Sequence, residues 1–219
     1  MDATLAISFA VVFVLGVVLI ISHFAGKRAK ALQQAAAELN LQYQPKDDGT
    51  LLDSLGRFNL FQHGRRKRIL NIMMGSYHGT PLKVFDYQYT TGGGRSTHTW
   101  SQTVLLFSDK LELPEFILKP ENLFHRIGKV FGYQDINFEQ HPQFSGNYLL
   151  QGADEEAVRR CFRENVLSYL DAHRGISLQG EGAELLYFRL GKRPAAAALR
   201  EFLDNGLEVY ALFRKRSFY

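Results

Sequence analysis

Between Ala3 and Ala25 the chain carries a single ionisable side chain, His23, and residues 5–24 read LAISFAVVFVLGVVLIISHF. A helix rising about 1.5 Å per residue needs roughly twenty apolar residues to cross a hydrocarbon layer about 30 Å thick. This run meets that length and offers no polar face for a soluble packing partner. It therefore predicts a single-pass transmembrane helix from Leu5 to Phe24. A cleaved signal peptide would need a basic n-region, but Met1, Asp2, Ala3 and Thr4 precede the run, and no A-x-A pattern follows it.

Direction follows from the flanking charge. Asp2 precedes the span, whereas Lys27, Arg28 and Lys30 follow it directly. Positive flanks stay in the cytoplasm, so the expectation is an N-terminus outside and a C-terminal domain inside the inner (plasma) membrane. Residues 1–26 are then the tail and transmembrane helix. Residues 27–44 form a helical stalk or linker, and residues 45–219 form a cytoplasmic globular domain. Ala29, Leu32, Ala36 and Leu39 recur at three- and four-residue steps along the stalk, a spacing that suits either a coiled-coil seam or packing onto the domain.

The rest of the chain has the length and aromatic content of one ordinary folded unit, and its net charge of +4 is too low for a strong nucleic-acid footprint. No nucleic-acid partner is expected. A lone cysteine, Cys161, excludes a disulfide framework; its neighbours Val158, Phe162, Val166 and Leu170 give it the setting of a core residue. Phe58 to Gln62 and Arg68 to Met74 read as strands around an HGRRK turn. Leu82 to Tyr89 alternates with Phe85, Tyr87 and Tyr89 on one face, and His98 to Phe107 continues the pattern across a TTGGGRST hairpin.

Further on, Pro114 and Pro120 frame an extended piece, and a helix is expected over Glu121 to Phe131. Tyr148 to Gln151 reads as a strand. Asp154, Glu155 and Glu156 open a helix running to about His173. Ile176 to Gln179 and Leu185 to Leu190 read as two strands. A last helix starts at Pro194 and breaks near Asn205 and Gly206. Hairpins with interspersed helices predict an α+β domain with a mainly antiparallel sheet.

Chemistry is sparse. The glycine-rich TTGGGRST loop leads into a β-branched, aromatic strand and lacks the GKS or GKT ending of a phosphate loop. No histidine falls in H-x-H or H-E-x-x-H spacing, so no metal and no cofactor are expected. Asp135, Glu139 and His141 share one loop and are the only acid–base candidates, set against the ordinary role of such residues as turn caps. Basic residues cluster at Lys27, Arg28 and Lys30, at Arg65, Arg66, Lys67 and Arg68, and at Arg214, Lys215 and Arg216. The first two clusters could face anionic lipid headgroups, or could simply be solvated.

FDYQY at Phe85 to Tyr89, SQTVLLF at Ser101 to Phe107, LPEFILKPENL from Leu113, and FGYQDINFEQHPQFSGNYLLQGADEEAVR from Phe131 are long, unusual strings. In them the chain resembles an uncharacterised bacterial family of small membrane-anchored proteins built on a domain of unknown function. The resemblance implies a membrane location and supplies no catalytic residue. The expected role is a membrane-anchored cytoplasmic interaction or regulatory domain with an unknown protein partner. A membrane-associated enzyme using Asp135, Glu139 and His141, or a peripheral anionic-lipid-sensing domain, are the alternatives.

Overall fold

The computed structural model describes residues 25–121 and 134–214. The apolar run 5–24 lies outside them, as does the helix expected beyond Glu121; among the described residues no helix is long and apolar enough to cross a membrane. The elements are α1 (25–38), β1 (Gln42–Lys46), α2 (Thr50–Ser54), α3 (Asn59–Gln62), β2 (Arg65–Tyr77), β3 (Thr80–Thr91) and β4 (His98–Pro120). They continue with α4 (Pro142–Asn147), β5 (Tyr148–Gly152), α5 (Glu155–Cys161), α6 (Glu164–Ala172), β6 (Ser177–Phe188) and α7 (Leu199–Phe213).

The six strands among the described residues join one antiparallel sheet in the order β1-β2-β3-β4-β5, with β6 paired to β4. Strand β4 is the spine. Its first half pairs with β3, from Leu82↔Phe107 to Thr91↔His98, and its last residues pair with β5, while β6 follows the opposite edge from Val104 to Leu118. The α+β class and the antiparallel sheet expected from the hairpin pattern are what the structure has.

Alternation along the strands sorts side chains to two cores. Val84, Leu105, Phe107, Leu185 and Tyr187 face a cluster closed by α1, α5, α6 and α7. Phe85, Tyr87, Tyr89, Val104, Leu106, Leu186 and Phe188 face a second cluster, covered by Leu55, Phe58, Leu60 and Phe61. That cover includes a correction: Phe58 to Gln62 is not a strand but carries the short helix α3. Its Phe61 ring sits 4.5 Å from Tyr87, its Leu60 amide donates to Gln179 Oε1 at 3.1 Å, and Lys67 Nζ donates to the carbonyls of Phe61 and Gln62.

Three further boundaries differ for packing reasons. The helix expected from Asp154 to His173 is two helices, because the chain bends at Phe162 to drop that ring between Phe116 and Phe213, 5.0 and 5.5 Å away. Ile176 to Gln179 and Leu185 to Leu190 are one strand, β6, whose Gly180 lets the Phe116 ring lie directly against the backbone. The break expected at Asn205–Gly206 is absent: α7 runs through it, and a Cβ on Gly206 would overlap Leu105 Cδ2. Both glycines serve close approach rather than termination.

The segment expected as a stalk over 27–44 belongs to the domain. Leu32, Ala36 and Leu39 are buried in the first core, β1 starts at Gln42, and the expected boundary at residue 45 falls inside that strand. Of the two readings of the Ala29–Leu39 spacing, packing onto the domain is the one observed. Each leucine so buried contributes about 1.5–3 kcal/mol relative to exposure.

Candidate functional site

On the α1 face, β3 reads Leu82, Val84, Asp86, Gln88, Thr90, changing from apolar to polar as it approaches the β3–β4 hairpin. The buried face of α1 changes in step: Ala36 and Leu32 are followed, one turn nearer the N-terminus, by Arg28. The two polar positions meet. Arg28 Nε and Nη2 donate to Asp86 Oδ2 and Oδ1 at 2.8 and 2.9 Å, a bidentate fork, and Nη1 donates to the carbonyl of Pro194 at 2.8 Å.

The carboxylate has further donors. Asn71 Nδ2 reaches Asp86 Oδ2 at 2.9 Å and Thr103 Oγ1 reaches Oδ1 at 2.7 Å, while Tyr43 donates to Asn71 Oδ1 at 2.8 Å. Asp86 is only 4% exposed, so these donors stand in for water around a buried charge. Asn71 reaches it through a bulge in β2, between Leu70 and Met73, where Asn71 takes a left-handed φ of 52°. A non-glycine residue in that conformation costs about 1–3 kcal/mol, offset here by what the redirected side chain bonds. The site thus ties α1, β1, β2, β3, β4 and the 189–194 loop together at one point.

Beside it lie two clefts. One, of about 420 Å³, is lined by Arg189, Lys192, Arg193, Pro194 and Glu201 over the buried Tyr187. The other, of about 570 Å³, shares Arg189 and Lys192 and adds Arg174 and Glu121. The loop that carries these cations is fixed by the site itself: the Thr103 amide donates to the Lys192 carbonyl at 3.0 Å, and Arg28 holds Pro194. Burial raises the Tyr187 hydroxyl's pKa, opposed by the positive Arg189 beside it.

The residues singled out from the sequence are dispersed. Lys27 and Lys30 are exposed, whereas Arg28 between them turns into the domain and its guanidinium is occupied by Asp86. Arg65, Arg66 and Arg68 are exposed; Lys67 is half-buried on the α3 carbonyls. Asp135 accepts the Leu150 amide at 3.0 Å, a structural role. Glu139 and His141 line a third cleft of about 500 Å³ with Arg159 and Glu164, where His141 Nε2 lies 2.7 Å from Glu164 Oε2. The three loop residues are therefore not brought together. Arg214 is exposed; Lys215 and Arg216 lie outside the described residues. Among the described residues no cluster of His, Cys, Asp or Glu could hold a metal ion.

Asp86, Asn71, Thr103 and Tyr43 were not singled out. The available signal was a charged residue in the strand FDYQY together with an arginine four residues before Leu32 and eight before Ala36, on one helical face.

No family model matches the chain. Among curated proteins it is similar to the lysine–tRNA ligase of Fervidobacterium nodosum, 25% identical over 131 residues. That stretch is 56% of this chain and 25% of the ligase, so the chain spans a quarter of that protein's length. Among solved structures it is similar to the mycobacterial trehalose monomycolate transport factor A, TtfA, with a TM-score of 0.59 at 14% identity, covering 84% of this chain and 91% of that one. What the chain shares with TtfA is the fold.

Proposed function

We propose that this chain is a membrane-anchored interaction or regulatory domain, held at the cytoplasmic face of the inner membrane by the helix read over residues 5–24. The observation that carries the reading is the Arg28–Asp86 clamp. It locks the helix that follows the apolar run to the centre of the sheet, so the domain is held by a braced helix instead of a loose tether. Support also comes from the fold shared with a protein described as a transport factor. Membership of the bacterial membrane-anchored family rests on the FDYQY, LPEFILKPENL and FSGNYLLQG strings and belongs to the same proposal. The similarity to a quarter of a lysine–tRNA ligase is not extended to an activity.

The test is fractionation of cells expressing the full chain, with a C-terminal reporter. The chain should stay with membranes through alkaline carbonate extraction, and the reporter should be active only in the cytoplasm. Release by carbonate would overturn the anchor, and a reporter active only outside would overturn the orientation.

A further inference from the structure

We infer that the end of the sheet bearing the β3–β4 hairpin docks on anionic phospholipid headgroups; the inference rests on the membrane-anchored reading. Its first ground is direction. Asn40 and Leu41, just past the C-terminal end of α1, pack on Gly75, which pairs with Leu82, while Arg28 near the other end meets Asp86. Helix α1 therefore runs antiparallel to β3, and its N-terminus points the same way as the hairpin. From Arg28 to Ala25 the helix advances about 4.5 Å. From Asp86 to Thr91 the strand advances about 17 Å. The hairpin thus reaches past the start of the described helix, at the end of α1 to which the apolar run 5–24 is joined in sequence.

The second ground is charge. Topology gathers four segments at this end. They are residues 25–30; residues 63–68, where Arg65 pairs with Thr90; residues 88–101; and residues 189–194, where Gly191 lies over Trp100. Together they hold eleven of the chain's 26 Lys and Arg and none of its 22 Asp and Glu. Of these, Lys27, Lys30, Arg65, Arg66, Arg68, Lys192 and Arg193 are exposed. Of the carboxylates beside this end, Asp86 is buried and occupied by Arg28, Glu201 lies across one cleft from Lys192, and exposed Glu121 lines the other cleft with Arg189 and Lys192. An end with so large an excess of cations beside a membrane anchor is complementary to anionic headgroups.

The third ground is Trp100, the chain's single tryptophan, partly exposed between His98 and Gly191, with Nε1 donating to Thr91 Oγ1 at 3.0 Å. An indole with an apolar body and a satisfied polar edge suits the interfacial layer.

The same tryptophan reports on the docking. Full-length chain is reconstituted into vesicles of phosphatidylcholine alone or mixed with phosphatidylglycerol, each containing lipid brominated near the headgroup. Flotation verifies insertion. Trp100 fluorescence should be quenched, and shielded from acrylamide, in the anionic vesicles only, and raised salt should reverse both effects. Removing cations by Arg65→Gln, Arg66→Gln and Arg68→Gln, or by Lys192→Gln and Arg193→Gln, should lower the docked-to-undocked ratio about fivefold per charge. These side chains are exposed, so circular dichroism should be unchanged. Flotation with Trp100 equally quenched, or equally unquenched, in both vesicle types would overturn the inference alone. Failure to float at all would overturn the anchor, and this inference with it.

Discussion

Replacing Asp86 by Ala removes the acceptor of four side-chain hydrogen bonds and leaves the donors of Arg28, Asn71 and Thr103 facing one another at a largely buried site. Breaking a buried ion pair from one side costs about 3–5 kcal/mol, chiefly because the surviving charge is left uncompensated. Arg28 retains 18% side-chain exposure and can turn partly to solvent, so the lower end, about 3 kcal/mol, is the expected loss for Asp86→Ala. Arg28→Ala strands the more deeply buried partner and should cost at least as much. The assay is chemical denaturation of the full chain in detergent, run as a double-mutant cycle with hydrogen exchange of the α1 amides. Both single variants should speed exchange in α1 more than in β3 and β4, and their coupling should exceed about 1 kcal/mol. Leucine at both positions should restore part of the stability, because it removes the stranded charge but leaves the Asn71 and Thr103 donors and the Pro194 carbonyl without partners. A loss under about 1 kcal/mol for Asp86→Ala, or α1 exchange unchanged, would show that the helix is held by its leucines alone and would refute the clamp.

Gly206→Ala should destabilise by about 1–3 kcal/mol, read as a lowered Tm, because its methyl would overlap Leu105 Cδ2 and crowd Tyr187 Cδ1; a neutral result would show that α7 can shift. Asp154→Ala should cost about 1 kcal/mol, since Asp154 Oδ1 accepts the Ala157 amide at 2.9 Å as the α5 N-cap, and Asp154→Asn should recover most of it. Burial pushes the Tyr89 hydroxyl up to about 12 and raises Tyr87 beside it, by burial first and by Tyr89 second. A raised folded value means the stabilisation is whole below the unfolded value of about 10 and is lost as pH climbs through the folded one, Tyr89 alone contributing about 2–3 kcal/mol. Denaturation midpoints should hold to about pH 10 and fall above it, with a delayed step in the tyrosinate absorbance; an undelayed titration would count against burial of this pair.

Elements whose apolar period matched their final packing were legible. Strand β3 was, because Phe85, Tyr87 and Tyr89 alternate and all three end in one core. Helix α1 was, because Leu32, Ala36 and Leu39 mark one stripe. The misreadings share a cause: a local signal was taken at face value where a distant side chain had claimed the position. Ile176 to Gln179 and Leu185 to Leu190 look like separate strands until Phe116 is placed against Gly180, Gly206 looks like a break until Leu105 is placed against it, and FNLFQ looks like a strand until it covers Tyr87. The acid–base candidates separate for a different reason. Asp135 and His141 share a loop, but Asp135 is held by the Leu150 amide while His141 meets Glu164 from another helix.

Asp86 escaped notice for a reason that bears on what it does. An antiparallel strand that alternates aromatic and polar residues ordinarily has water on its polar face. In this sheet that face is covered by α1, so a position that reads as solvent becomes the least exposed carboxylate among the described residues. The cover itself explains why a charge is there. A seam made only of Leu32, Ala36 and Leu39 could slide by one turn and bury nearly as much apolar surface. A buried carboxylate on β3 accepts one register only, that in which Arg28 lies opposite it and its third donor reaches Pro194. Fixing this register also fixes how α1 stands relative to the hairpin end and its cations. The clamp therefore sets how the N-terminal turn of α1 is placed beside the basic end, and the interaction surface proposed there depends on it.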